Sequence, residues 1–219
     1  LSLEEYGVFS ISIHDGDASV SELRQAAEES DAILHISSHH IRTYEKNSGY
    51  MAASRLIMAG ANNLEMTEEE TKVFGKDGTV SAADLNTQQM KPKLVILAAC
   101  QSANGITVEG GGGFGLARAF YNHGCRVVSA LYQVGDFASA VFFYFFYQDL
   151  KQSEDPDSAI RFARDRIQKT DKDKVEDILL RSISKESSAF RRLRRELRHL
   201  GKYPFRHPFF WSGFILGGV

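Results

Sequence analysis

Two short stretches bring a nucleophile and a base into view. Leu94 to Ala99 (LVILAA) is the most hydrophobic run that reads as a strand, and it leads straight into Cys100-Gln101-Ser102. Ala32 to Ser37 (AILHIS) is another compact apolar run, and it leads into Ser38-His39-His40. A cysteine just past a strand is activated by a nearby imidazole and by the backbone N–H groups of the following turn, both of which favour thiolate over thiol. If the two strands lie parallel, the histidine and the cysteine share the edge of the sheet where reactive groups gather in α/β proteins. The competing reading of Cys100 is a small apolar residue packed in a core, and the sequence alone leaves both open.

The elements that must position these residues are legible from periodicity. Gly7 to Ile13 alternates apolar and polar as a half-buried strand does, and Ser19-Val-Ser-Glu22 is a capping box ahead of Val20, Leu23, Ala26 and Ala27. Ser54 to Ala59 (SRLIMA) reads as a buried strand ended by Gly60 and Asn62-Asn63. Asp77-Gly78 makes a turn, and Ser81 with Asp84 forms a second capping box whose short helix stops before Pro92. A glycine-rich loop at Gly110 to Gly113 precedes a helix from about Phe114 to Asn122, and Arg126 to Leu131 is the next strand. Helices follow over Phe137 to Leu150, over Asp157 to Gln168 with Asp157 as cap, and near Lys174 to Ile183; Gly213 to Leu216 closes the chain as a strand. Strands alternating with helices predict a mainly parallel sheet with helices on both faces.

With 219 residues, 43% hydrophobic and 25% charged, the chain has the composition of a folded globular protein and not of a disordered or fibrous one. No repeat or Pro- or Ser-rich linker divides it, so one domain over residues 1–219 is the simplest reading. Two cysteines without a C-x-x-C pair exclude a disulfide framework and a Cys-rich zinc site, and fit a reducing, cytoplasmic setting. The densest apolar run, Ala138 to Tyr147, is about half the roughly 20 residues a membrane helix needs. No membrane contact, metal or cofactor is expected. The start at Leu1 instead of Met predicts a piece of a longer protein or a processed product.

Leu97-Ala-Ala-Cys100-Gln-Ser resembles the Cys motif of CHAT domains, caspase-like peptidase domains usually found beside TPR repeats, and His35-Ile-Ser-Ser-His39 resembles their His motif. Ser54 to Asn62 is similar to their middle strand, Glu109-Gly110 with Gly115 to Phe120 to their glycine loop and following helix, and His207 to Phe214 to their closing strand. Five matches in order cover most of the chain. The resemblance implies a caspase-like three-layer α/β fold and a cysteine endopeptidase with Cys100 as nucleophile and His39 as base and acid. The backbone N–H groups of Cys100 and of residue 40 would hold the oxyanion, where losing one donor costs roughly 10²–10³ in rate. It further implies a protein substrate, control by an N-terminal TPR-like region, and a role as an effector in immune or cell-death pathways. One departure stands out: the family has glycine after the catalytic histidine and this chain has His40, whose Cβ restricts the backbone. A catalytically silent interaction module is the alternative. His40 also leaves open which imidazole acts, and the spacing from His35 favours His39.

Leu131 to Asp136 resembles the loop whose acidic residue, in related peptidases, lines the pocket for the residue before the cut. Asp136 would select Arg or Lys by charge pairing, with Gln101 as a further substrate-binding residue; the other reading of Asp136 is an N-cap for a helix starting at Phe137. Gly110, Gly112 and Gly115 also match the dinucleotide pattern G-x-G-x-x-G, but about ten residues separate them from the strand that the fingerprint must follow. His35 reads as a core histidine, His123 as a helix-end or surface residue, and Cys125 as lying at the opposite edge from Cys100, too far for a disulfide. From Arg181 to Arg206 there are nine Lys/Arg against two acids, +7 against −9 elsewhere. Phe190, Leu193, Leu197 and Leu200 form a helical stripe there, so the segment is either a solvated face or a docking surface for an acidic partner, RNA or a regulatory domain.

Overall fold

The computed structural model describes residues 10–11, 19–28, 33–38, 40–42, 54–59, 61, 67–68, 78–98, 106–108 and 112–218. For residues 10–11, 40–42, 106–108 and 112–114 it describes the backbone alone. Two compact units are distinguished: one carries the strands and the first three helices, and the other comprises residues 134–214.

In the first unit, Ser19 Oγ accepts the N–H of Glu22 (3.1 Å) and starts helix α1, Val20–Glu28. Its apolar spacing turns Val20, Leu23, Ala26 and Ala27 inward, the four residues expected. The central sheet holds β1 (Ser10–Ile11), β2 (Ile33–Ile36), β6 (Leu94–Leu97), β9 (Arg126–Ala130) and β10 (Phe214–Gly217), in that order. β1, β2, β6 and β9 run parallel, with Leu34, Val95 and Val127 in one row and Ile36, Leu97 and Ser129 in the next. Gly218, just past β10, lies against Cys125 and Arg126 at the start of β9, which sets β10 antiparallel to it.

Helices α2 (Ala82–Thr87) and α3 (Leu116–Tyr121) connect these strands with α1. Leu23 of α1, Leu85 of α2 and Phe120 of α3 share one core with Leu34, Val95 and Val127, so all three helices cover the same face. Strands neighbouring in chain order, joined by crossovers of one hand, require this. Ile96 and Val128, on the opposite face, are equally buried, which is why β6 reads as a continuous apolar run. Burying each such Leu, Ile or Phe contributes about 1.5–3 kcal/mol. The chain is therefore mixed α/β, with a mostly parallel central sheet flanked by helices, as a caspase-like fold requires.

Two details depart from the sequence reading and a third bears it out. Ser54–Ile57 (β4) is a strand, but it lies in a separate antiparallel sheet between β3 (His40–Arg42) and β5 (Thr79–Ser81). The residues expected as a glycine loop instead include a strand: Gly112–Phe114 (β8) pairs antiparallel with Ile106–Val108 (β7), and Gly115 is the N-cap of α3. The Ser81/Asp84 capping box is complete, each side chain meeting the other residue's backbone N–H, and the positive φ of 62° at Gly78 makes the turn before it.

In the second unit α4 spans Asp136–Ser153 and buries Phe142 through Tyr147 without a break. Phe142 stacks on Phe214 (centroids 4.4 Å apart) and Phe143 meets the same ring edge-on (5.0 Å). α5 (Pro156–Lys169) packs along α4. It is capped by Asp155 and not by Asp157, because Pro156 needs no N–H partner at N1 and so opens the helix, which puts the cap two residues upstream of the expected one. α6 (Lys172–Leu179) and α7 (Ser188–Arg198) begin at Asp171 and Ser187, each accepting a backbone N–H. Among the described residues no helix is long and apolar enough to cross a membrane.

Candidate active site

β2 and β6 carry the two candidate stretches, and they are adjacent and parallel, with Ile36 opposite Leu97. The ladder continues one step beyond the strands, where Ala98 donates its N–H to the Ile36 carbonyl (2.9 Å). Both chains therefore leave the sheet at the same edge, and the condition that the sequence set for a shared rim is met. His39, Cys100 and Gln101 themselves lie outside the described residues.

The flanks of position 39 are held by the small antiparallel sheet. Ser38 is half-buried, and its hydroxyl donates to the carbonyl of Ile57 at the end of β4. His40 opens β3 opposite Leu56. Among the described residues Glu154 is the only non-glycine with positive φ, so the backbone at His40 is strand-like and one that any L-residue adopts. Its side chain is not described. The Ser38 anchor was invisible in the sequence because its partner is a backbone carbonyl 19 residues away.

Asp136 is the first residue of α4, and the N-cap is Gly135; the expected capping role is thus corrected. The helix starts one residue earlier than expected because a carboxylate in the first turn is favoured by the helix dipole. Its carboxylate accepts a 2.6 Å hydrogen bond from Arg192 Nη2 of α7, with the two side chains 79% and 52% exposed. Arg192 also lies over the Phe137 ring, 4.8 Å from its centroid. Sequence reasoning missed this cation: Arg192 was visible as part of a basic segment, but a contact 56 residues distant leaves no local signature.

His35 sits mid-β2, half-buried and opposite Ile96. His123 follows the C-cap Asn122 of α3 and is half-buried. Cys125 precedes β9, at the edge away from the exits of β2 and β6; it is a buried free thiol, and burial pushes its pKa up. It is thus a poor nucleophile. Gly112 and Gly115 belong to a hairpin strand and a helix cap, and neither follows a parallel strand as a dinucleotide fingerprint must.

The family model of the CHAT domain matches residues 6–219. The chain belongs to the CHAT domain family. No curated protein matches it at significant similarity. CHAT domains are caspase-like and peptidase-related, and the strand order, the parallel β2–β6 pair and the common exit edge agree with that membership.

Proposed function

We propose that this CHAT domain is a cysteine endopeptidase in which Cys100 and His39 form the catalytic dyad. The observation that carries the reading is the in-register parallel pair of β2 and β6, because Cys100 comes two residues after Ala98 and His39 one residue after Ser38. Each peptide step spans about 3.8 Å, which bounds how far either side chain departs from that shared edge.

In the reaction, His39 takes the proton of Cys100, and the thiolate attacks the peptide carbonyl carbon to form a tetrahedral oxyanion. The backbone N–H groups of Cys100 and His40 stabilise that charge. Collapse breaks the C–N bond; His39 returns its proton to the leaving amine, and a thioester remains on Cys100. His39 then deprotonates water, which attacks the thioester and releases the acid and the free thiol.

Asp136 supplies the negative charge that selects Arg or Lys before the cut, and Gln101 is a further substrate-binding residue. The substrate is a specific protein, cleaved in the cytoplasm under control of an N-terminal TPR-like region, in an immune or cell-death response. The strand conformation at His40 supports activity despite the missing glycine, since no positive φ is demanded there. A fluorogenic peptide panel on the full-length protein tests the reading. Turnover abolished by both Cys100→Ala and His39→Ala is expected; turnover surviving either change refutes the dyad, and no turnover in the wild type together with no labelling by a thiol-reactive peptide warhead favours the silent interaction module.

A further inference from the structure

α7 is polar around most of its circumference. Only Leu193 and Leu197 are fully buried, and with half-buried Phe190 and Leu200 they define the inward side. At about 100° per residue, Arg191, Arg195 and Arg198 then project to the opposite side, and all three are exposed. They recur at i, i+4 and i+7, separated along the axis by about 6 and about 4.5 Å.

The other two arginines are used differently. Arg192 reaches Asp136 (2.6 Å) and Glu196 (3.7 Å), and Arg194 reaches Glu176 (3.6 Å) on α6 and lies over the Phe190 ring (5.9 Å). Arg191 donates to the Glu186 backbone carbonyl. Among the described residues no ion pair neutralises Arg191, Arg195 or Arg198. Like charges at this spacing destabilise a helix, so the row weakens α7 unless something anionic covers it.

We propose that the outward row Arg191–Arg195–Arg198 docks a short acidic segment of a partner protein. Two features favour a protein segment over a nucleic acid. Asp136 and Glu196 lie on one flank of the row and Glu176 on the other, and an extended phosphate backbone would run against those carboxylates. The whole chain carries −2, whereas nucleic-acid binders present a broad basic field. Carboxylates one helical turn apart match the row, and each guanidinium offers a planar fork to a carboxylate. None of the three arginines of the row takes part in the peptidase chemistry proposed above.

The test uses the full-length protein and fluorescence anisotropy with three labelled probes: an alanine-rich peptide with Glu at i, i+4 and i+7, its Gln counterpart, and a single-stranded RNA of equal length. The Glu peptide should bind, weakening with added salt, and should outcompete the RNA. Triple substitution Arg191→Gln/Arg195→Gln/Arg198→Gln should weaken it by about tenfold, the sum of three exposed ion pairs. The charge-matched control Lys151→Gln/Lys169→Gln/Lys172→Gln should leave binding unchanged. The Gln peptide on the unaltered protein should lose affinity to the same degree, which tests the row even if the triple variant fails to fold. Absence of Glu-peptide binding, equal affinity for the Gln peptide, equal loss in the control, or tighter RNA binding through the same row overturns the proposal.

Discussion

Replacing Arg192 by Gln removes the cation that engages the Asp136 carboxylate. If Asp136 recognises the residue before the cut, Arg192 competes with the substrate for the same oxygens. Their 2.6 Å contact is short, but the side chains are 52% and 79% exposed. An exposed pair of this kind contributes about 0.2–1 kcal/mol after solvent screening. Freeing the carboxylate should therefore raise kcat/KM for substrates with Arg before the cut by up to about fivefold. The gain should come through KM with kcat unchanged, since it is ground-state binding that improves. Substrates with Leu at that position should not respond. Asp136→Asn should act in the opposite direction and more strongly: losing a charge-assisted hydrogen bond, at about 1.5–3 kcal/mol, lowers the Arg/Leu ratio by roughly ten- to a hundredfold. The assay is a matched pair of fluorogenic peptides measured at low and high salt, where screening should shrink the Arg192→Gln gain. An Arg/Leu ratio unmoved by Asp136→Asn would refute the reasoning, as would an Arg192→Gln gain equal for both peptides.

Three further outcomes concern the scaffold. A Cβ at Gly217 would collide with Tyr121 Oη and lie 2.8 Å from its Cζ, so Gly217→Ala should cost about 1–3 kcal/mol in urea denaturation; most of that loss should vanish in a Tyr121→Ala background, and strict additivity would contradict the contact. Burial raises the Tyr147 phenol above 10.0 and the Cys125 thiol above 9.0, so the folded state holds these protons more tightly than the unfolded one. Their stabilisation is complete below the unfolded values and falls as pH climbs through the folded ones. Tyr147→Phe should accordingly flatten the loss of stability above about pH 10, and an unchanged slope would count against it. Ser81→Ala removes one half of the capping box that starts α2 and should cost about 1 kcal/mol, read as a shift in the urea midpoint without change in slope.

Local chemistry made much of the fold legible. Helix α1 showed its four inward residues through spacing, and β6 showed burial on both faces through an unbroken apolar run. Ser81 and Asp84 announced their helix because a capping box is self-contained. What escaped was pairing. Ser54–Ile57 is apolar enough for the central sheet, and nothing in four residues says that its partners are β3 and β5. Glycines at 112 and 113 suggested a loop, yet the ladder with β7 overrides their weak strand preference. The same limit applied at the site: the sequence supplied Cys100, His39 and Asp136 from motif and position, but Ser38 to Ile57 and Asp136 to Arg192 depend on three-dimensional neighbours.

The central claim is that the imidazole at position 39 activates the thiol at position 100. The chain has two cysteines, and Cys125 is buried with a raised pKa, so it gives a quiet background for thiol chemistry. The decisive measurement is the rate of Cys100 alkylation as a function of pH, with the modified site assigned by mass spectrometry, in the full-length protein and in His39→Ala. Rapid alkylation that persists below the ordinary thiol range of about 8.5 in the wild type, and moves up to that range in His39→Ala, is the predicted result. Identical profiles in the two proteins, each titrating as an unperturbed thiol, would contradict it.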